Sequence, residues 1–107
     1  MFHMLSAVTL QSSTSSQRFG DAVDALSEYL SQEKLIAKAS PLGTRHRHPI
    51  MDTDDADLDF FFTMSFDSRE QLEAAVNYMT RRSGRGAELH EKLWSQLKDY
   101  RFTCWED

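Results

Sequence analysis

Apolar residues recur at every second position from Leu58 through Phe60, Phe62 and Met64 to Phe66. That is the period of a β-strand, whose successive side chains point to opposite faces. One face is therefore wholly apolar, while the other reads Asp59, Phe61, Thr63 and Ser65 and is only half so. We expect a central strand here. Phe2–Leu10 has a similar character: Phe2, Met4, Val8 and Leu10 share one face, and Leu5 and Ala7 share the other with His3 and Thr9 as polar exceptions. A strand apolar on both sides is ordinarily interior to its sheet.

The remaining pattern alternates between helical and extended periods. Ser15 or Ser16 caps a helix over residues 17–32, because a serine hydroxyl can accept from the free N–H groups of the first turn. Phe19, Ala22, Val23, Leu26, Tyr29 and Leu30 fall at offsets of three and four and make its core stripe. Residues 34–39 are predicted to form a weaker strand. Pro41, which cannot donate to a ladder, places that strand at an edge or a bulge. Extended character resumes over residues 44–50. Asp67 and Ser68 open a second helix with Glu70 and Gln71 in capping-box positions, and Leu72, Ala75, Val76 and Met79 form its stripe. This helix ends near Arg82, where Gly84 suits a left-handed turn. A second helical piece over residues 87–98 buries Leu89, Leu93, Trp94 and Leu97. Residues 100–105 form a short closing strand with Cys104 as a buried member.

The order is strand, helix, strand, strand, a helix broken in two, strand. Right-handed crossovers place both helices on one side of the sheet. The predicted fold is α+β, a ferredoxin-like βαββαβ sandwich spanning residues 1–107 as one domain. Its other face would carry His3, Leu5, Phe61, Thr63 and Ser65, together with Ala7 and Trp105. Soluble monomers seldom leave such an apolar patch bare. A two-fold pairing of sheet on sheet would cover it, so we expect a homodimer through this face.

In plan, length and helical break the whole chain resembles the dimeric α+β barrel superfamily. That group includes small monooxygenases of the antibiotic-biosynthesis type, haem-degrading enzymes, stress-responsive barrel proteins and polyketide cyclases. The resemblance implies a small-molecule pocket between sheet and helices, often apolar with one or two polar side chains. It does not name an activity, because one fold hosts many.

Composition narrows the partners. The chain has 107 residues, 40% hydrophobic and 27% charged, which fits one globular domain. Its net charge of −5 argues against a nucleic-acid partner, which needs a basic face. No apolar run approaches the roughly 18 residues of a membrane span. The apolar N-terminus lacks the basic region of a signal peptide. A single cysteine, Cys104, forms no intrachain disulfide, so a cytoplasmic setting is expected.

Four groups of residues could carry chemistry. Arg45, His46, Arg47 and His48 alternate, so in an extended chain the two histidines share one side. They could contact a metal with a third ligand from His3 or His90, or an arginine could hold an anion. The plainer alternative is a basic arm pairing with the acidic residues 52–59, and neither metal nor cofactor is expected. The acidic run fails the calcium-loop rule, since Asp57 stands where a glycine is needed and Thr63 where a glutamate is needed. His90 and Trp94 lie four apart on one helical face, and His90 is the best single candidate for a catalytic base. Finally, Phe60, Phe62, Met64 and Trp94 could line an apolar cavity. With Arg45, His46, His48 or His90 at its mouth, that cavity would suit an apolar or amphipathic ligand such as a fatty or aromatic acid. The alternatives are a cofactor-free oxygenase or cyclase using a pocket histidine, and a purely structural dimerisation module with a fully packed interior.

Overall fold

In the computed structural model, which describes residues 1–81 and 83–107, the elements run β1 (Phe2–Leu10), α1 (Ser16–Gln32), β2 (Lys38–Ala39), β3 (Gly43–Thr44), β4 (Phe60–Phe66), α2 (Arg69–Met79), α3 (Arg85–Trp94) and β5 (Leu97–Glu106). The antiparallel sheet has the order β2-β4-β1-β5, with β3 also paired to β4. The two strands most apolar in sequence, β1 and β4, are therefore the central pair. Their register is continuous from Phe2↔Phe66 to Val8↔Phe60. This is the ferredoxin-like α+β arrangement, with the second helix divided into α2 and α3.

One sheet face meets the helices. Val8, Phe62, Met64 and Phe66 pack with Phe19, Val23, Leu26 and Leu30 of α1, Ala75 of α2, and Leu89 and Leu93 of α3. The Phe19 and Phe62 rings lie 6.2 Å apart at the centre of this core. The helix starts follow from the predicted caps. Ser15 Oγ accepts from the Arg18 N–H, and Ser68 Oγ accepts from the Gln71 N–H. Gln71 in turn accepts from the Asp67 N–H and donates to the Lys34 carbonyl, tying the start of α2 to the end of α1. Gly84 has φ 103°, a conformation open to glycine, and it precedes α3.

The edge next to β4 is weaker than its alternation predicted. Lys34 adopts φ 59° and its N–H returns to the Ser31 carbonyl, so residues 34–36 turn out of α1, and pairing with β4 begins where the Ala37 N–H donates to the Ser65 carbonyl. The paired strands here are the short Lys38–Ala39 and Gly43–Thr44, with Pro41 between them. The extended segment expected over residues 44–50 thus stops at Thr44.

Four other expectations change. Leu58 is buried, yet it lies outside β4 and outside the main core cluster. Val76 is 42% exposed, because α2 presents it at a rim. The helix expected through residue 98 ends at Trp94, and Leu97 and Lys98 begin a longer β5. Cys104 is exposed, because β5 extends past the cover of the helices. Among the described residues, no helix is long and apolar enough to cross a membrane.

Candidate functional site

A cavity of about 340 Å³ opens between the sheet and the α2–α3 pair. Its floor comes from the helix-facing positions of the central strands, Met4, Ser6 and Val8 of β1 with Phe62 and Met64 of β4. Leu26, Met79, Leu93 and Leu97 close its sides, and Val76 and Phe102 stand exposed at its rim. Among the described residues, Ser6, Thr80 and His90 bring polar groups to it. Thr80 Oγ1 donates to the Val76 carbonyl of its own helix. No arginine or lysine is among the described residues of the lining.

His90 and Trp94 meet here as their four-residue spacing requires, with ring centroids 6.0 Å apart and an interplanar angle of 23°. Trp94 also contacts Tyr100 at 4.4 Å and Phe102 at 6.1 Å, so an aromatic ladder runs from α3 onto β5. Burial lowers the His90 pKa below the ordinary histidine value. At neutral pH the imidazole is therefore uncharged, with a lone pair available as a base or hydrogen-bond acceptor.

The structure divides the ligand-binding residues expected from sequence. Phe62, Met64, His90 and Trp94 line the cavity, whereas Phe60 packs beside the core without lining it. Arg45, His46 and His48 belong to a different part of the molecule. Arg45 forms a bidentate pair with Asp52 at 2.6 Å on both arms and donates to the carbonyls of Asp54, Ala56 and Leu58. The contact with Arg45 holds the Asp52 carboxyl below its usual range. His48 Nδ1 accepts from the Ile50 and Met51 N–H groups, and Arg47 pairs with Asp57 at 3.6 Å. These residues staple loop 45–59 to itself, and Arg45 and His46 line a separate depression beside Phe61 and Leu58. The basic arm pairs with the acidic run, which is the plainer of the two sequence readings. Among the described residues, no three His, Cys, Asp or Glu side chains are grouped to hold a metal.

The expected interface residues do share one face. His3 pairs with Ser65, Leu5 with Thr63, and Ala7 with Phe61, all pointing away from the helical core. Within that face His3 bridges Ser65 Oγ at 2.7 Å and Asp107 Oδ2 at 2.8 Å, and its ring stacks on Trp105 at 5.2 Å. Ser65 is thereby buried within the chain itself. Near Gly84, Arg81 lies 5.1 Å over the Tyr78 ring and Arg85 pairs with Glu88, while Arg82, where the second helix was expected to end, lies outside the described residues.

Sequence reasoning missed Ser6, Thr80 and Phe102 as cavity residues. Ser6 carried a signal, because it interrupts the otherwise apolar even face of β1. Phe102 carried none, since its role depends on where β5 ends up relative to α3. The Tyr29–Tyr78 hydrogen bond, 2.5 Å between hydroxyls, was also hidden, and it pushes Tyr29 up to about 12.

No protein-family model matches the sequence, and no curated protein matches it. Solved structures match the fold over nearly the whole chain. A dimeric ferredoxin-like protein of unknown function from Jannaschia sp. CCS1 is similar with a TM-score of 0.71 at 12% identity, covering 99% of this chain and 98% of its own. The cofactor-independent oxygenase SnoaB of Streptomyces nogalater has a TM-score of 0.70 at 8% identity, covering 99% and 91%. The hydroxynitrile lyase of Passiflora edulis has a TM-score of 0.63 at 12% identity, covering 97% and 90%. At these identities the likeness establishes the ferredoxin-like fold and no more.

Proposed function

We propose that this chain is a homodimeric binding protein for a small, apolar, uncharged molecule, held in the cavity between sheet and helices. The observation that carries this reading is the cavity itself: about 340 Å³, walled by aliphatic, aromatic and thioether side chains with few polar groups. That combination is the usual character of a ligand site, at the small end of the roughly 300–1,000 Å³ range. A neutral ligand is favoured over the fatty or aromatic acid that the sequence suggested. His90 is uncharged and Arg45 is committed to Asp52 elsewhere, so neither neutralises a carboxylate in the cavity. Native mass spectrometry of the purified protein, with Trp94 fluorescence during titration of small aromatic alcohols and ketones, tests the reading. A saturable Trp94 response that Leu93→Trp abolishes is expected. No bound mass and no response to any probe would sink it.

The dimer is supported by the apolar open face and by the Jannaschia protein of the same fold, which is described as dimeric. Light scattering at micromolar concentration should give twice the 12.4 kDa chain mass. Phe61→Lys, which puts a charge in the middle of that face, should give the single-chain mass.

A second reading has its own observation. A neutral histidine in an apolar cavity is a competent general base, and the fold is shared by an oxygenase and a lyase that are described as such. If the chain is an enzyme, His90→Gln should bind the ligand yet lose turnover. Full turnover in His90→Gln would eliminate His90 as the base.

A further inference from the structure

Ser6 fits its apolar surroundings poorly. It is 1% exposed, and its Oγ has no hydrogen-bond partner among the described residues. It sits on the helix-facing side of β1, the most interior of the cavity's strands, between Met4 and Val8. A buried hydroxyl without a partner is costly, because it has given up water and gained nothing. An alanine there would continue the apolar pattern without that cost. By contrast, Thr80, also in the lining, is satisfied by its own helix.

The neighbours of Ser6 define what could meet it. Its direct cross-strand partners are Phe62 on β4 and Phe102 on β5, so an aromatic ring stands on either side of the hydroxyl. Both belong to the cavity wall, as do Trp94 and the sulfurs of Met4, Met64 and Met79. Aromatic faces and thioethers favour a flat ring as the occupant. A serine hydroxyl both donates and accepts, so it can serve a phenolic hydroxyl or a carbonyl equally.

Building on the binding reading above, we propose that Ser6 is the polar anchor of the cavity, and that the ligand is a flat aromatic molecule of one or two rings bearing one neutral hydroxyl or carbonyl. The ring packs among Phe62, Phe102 and Trp94, and its oxygen meets Ser6 Oγ at the cavity floor. His90 lies across the same cavity and is free to contact a second polar group.

The test uses toluene and p-cresol, which differ by one hydroxyl, with affinities read from amide NMR shifts. Ser6→Ala should weaken p-cresol about tenfold, the equivalent of ~1.4 kcal/mol, and leave toluene unchanged or slightly tighter. It should also fold at least as well as the parent, since it removes an unpartnered group, and its melting temperature verifies that. Equal weakening of both probes would mean that Ser6 only shapes the cavity, and no weakening of either would mean that another group holds the oxygen. Either result overturns the anchor and leaves the cavity reading standing. If neither probe binds the unaltered protein, both the cavity reading and the anchor fail.

Discussion

Gly86 permits the junction between α2 and α3, and replacing it should strain the wall of the cavity. A Cβ built at this position lies 2.2 Å from Tyr78 Cε1 and 2.6 Å from Cδ1. Carbon atoms in ordinary contact stand about 3.5–4.0 Å apart. The ring cannot simply slide away, because its hydroxyl bonds Tyr29 and its face carries Arg81. Overpacking of this kind costs about 1–3 kcal/mol, and the severity of the overlap points to the upper half of that range. Alanine regains at most about 1 kcal/mol in helix propensity, and less this close to the start of α3. Gly86→Ala should therefore lose about 1–2 kcal/mol, a fall of roughly 5–15 °C in melting temperature for a domain of this size. The decisive assay is thermal unfolding by circular dichroism in two backgrounds. With Tyr78→Ala already in place the obstructing ring is gone, so Gly86→Ala should be neutral or stabilising, which gives a coupling of about 2 kcal/mol. Equal losses in the two backgrounds, or a rise in melting temperature in the parent, would refute this account. The displaced end of α2 carries Met79 and Thr80, so the single variant should also bind p-cresol more weakly.

Burial lowers the His90 pKa in the folded chain, so as pH falls the unfolded chain takes up that proton first. Stability should rise with pH through the window below about 6.5, the ordinary histidine value, and level off above it. His90→Phe should flatten this slope in denaturant titrations at a series of pH values. The Asp52 pKa is depressed by its hydrogen bond with Arg45, so that pairing stabilises the loop above the ordinary carboxylate range and is lost as pH falls through the folded value. Asp52→Ala should accelerate hydrogen exchange across residues 46–57 at neutral pH while leaving amides of β1 protected; unchanged exchange in the loop would show that the ion pair does not hold it. Cys104 should react with a thiol reagent in the native protein without denaturant, and a native-state thiol that reacts only on unfolding would contradict its exposure.

The sheet was legible in the sequence because alternation is a local property. The parity of Phe60, Phe62, Met64 and Phe66 placed β4, and the double-sided pattern of Phe2–Leu10 placed β1 beside it. The helix starts were legible because Ser15 and Ser68 act on N–H groups three residues away. What failed depended on distant partners. The alternation of residues 34–39 competed with the turn at Lys34; the turn took residues 34–36, and Lys38–Ala39 alone kept the strand. Arg45 looked free to bind an anion, because Asp52 and three carbonyls converge on it only once loop 45–59 closes. Cys104 alternated like a core residue, yet it lies on the edge strand β5 beyond the part that α3 covers. The cavity was half legible: Phe62, Met64, His90 and Trp94 were foreseen, but its polar floor and its rim came from β1 and β5.

The unbroken β1–β4 register separates the two faces strictly. Over seven consecutive pairs no residue changes side, and the irregularity recorded against β5 falls at Thr9 and Leu10, at the end of β1. Ser6 and Leu5 are neighbours in sequence, yet one faces the cavity and the other the proposed partner. A substitution at an even position of β4 should therefore alter the ligand site without touching the open face, and one at an odd position should do the reverse. The β5 strand is the exception to this insulation. It is an edge strand exposed on both sides, with Phe102 at the cavity rim and Trp105 stacked on His3 across the open face. A partner seated on Trp105 would restrain the same strand that carries Phe102. If the two faces communicate, the route runs through β5, because over the β1–β4 pairs each residue belongs to one face only.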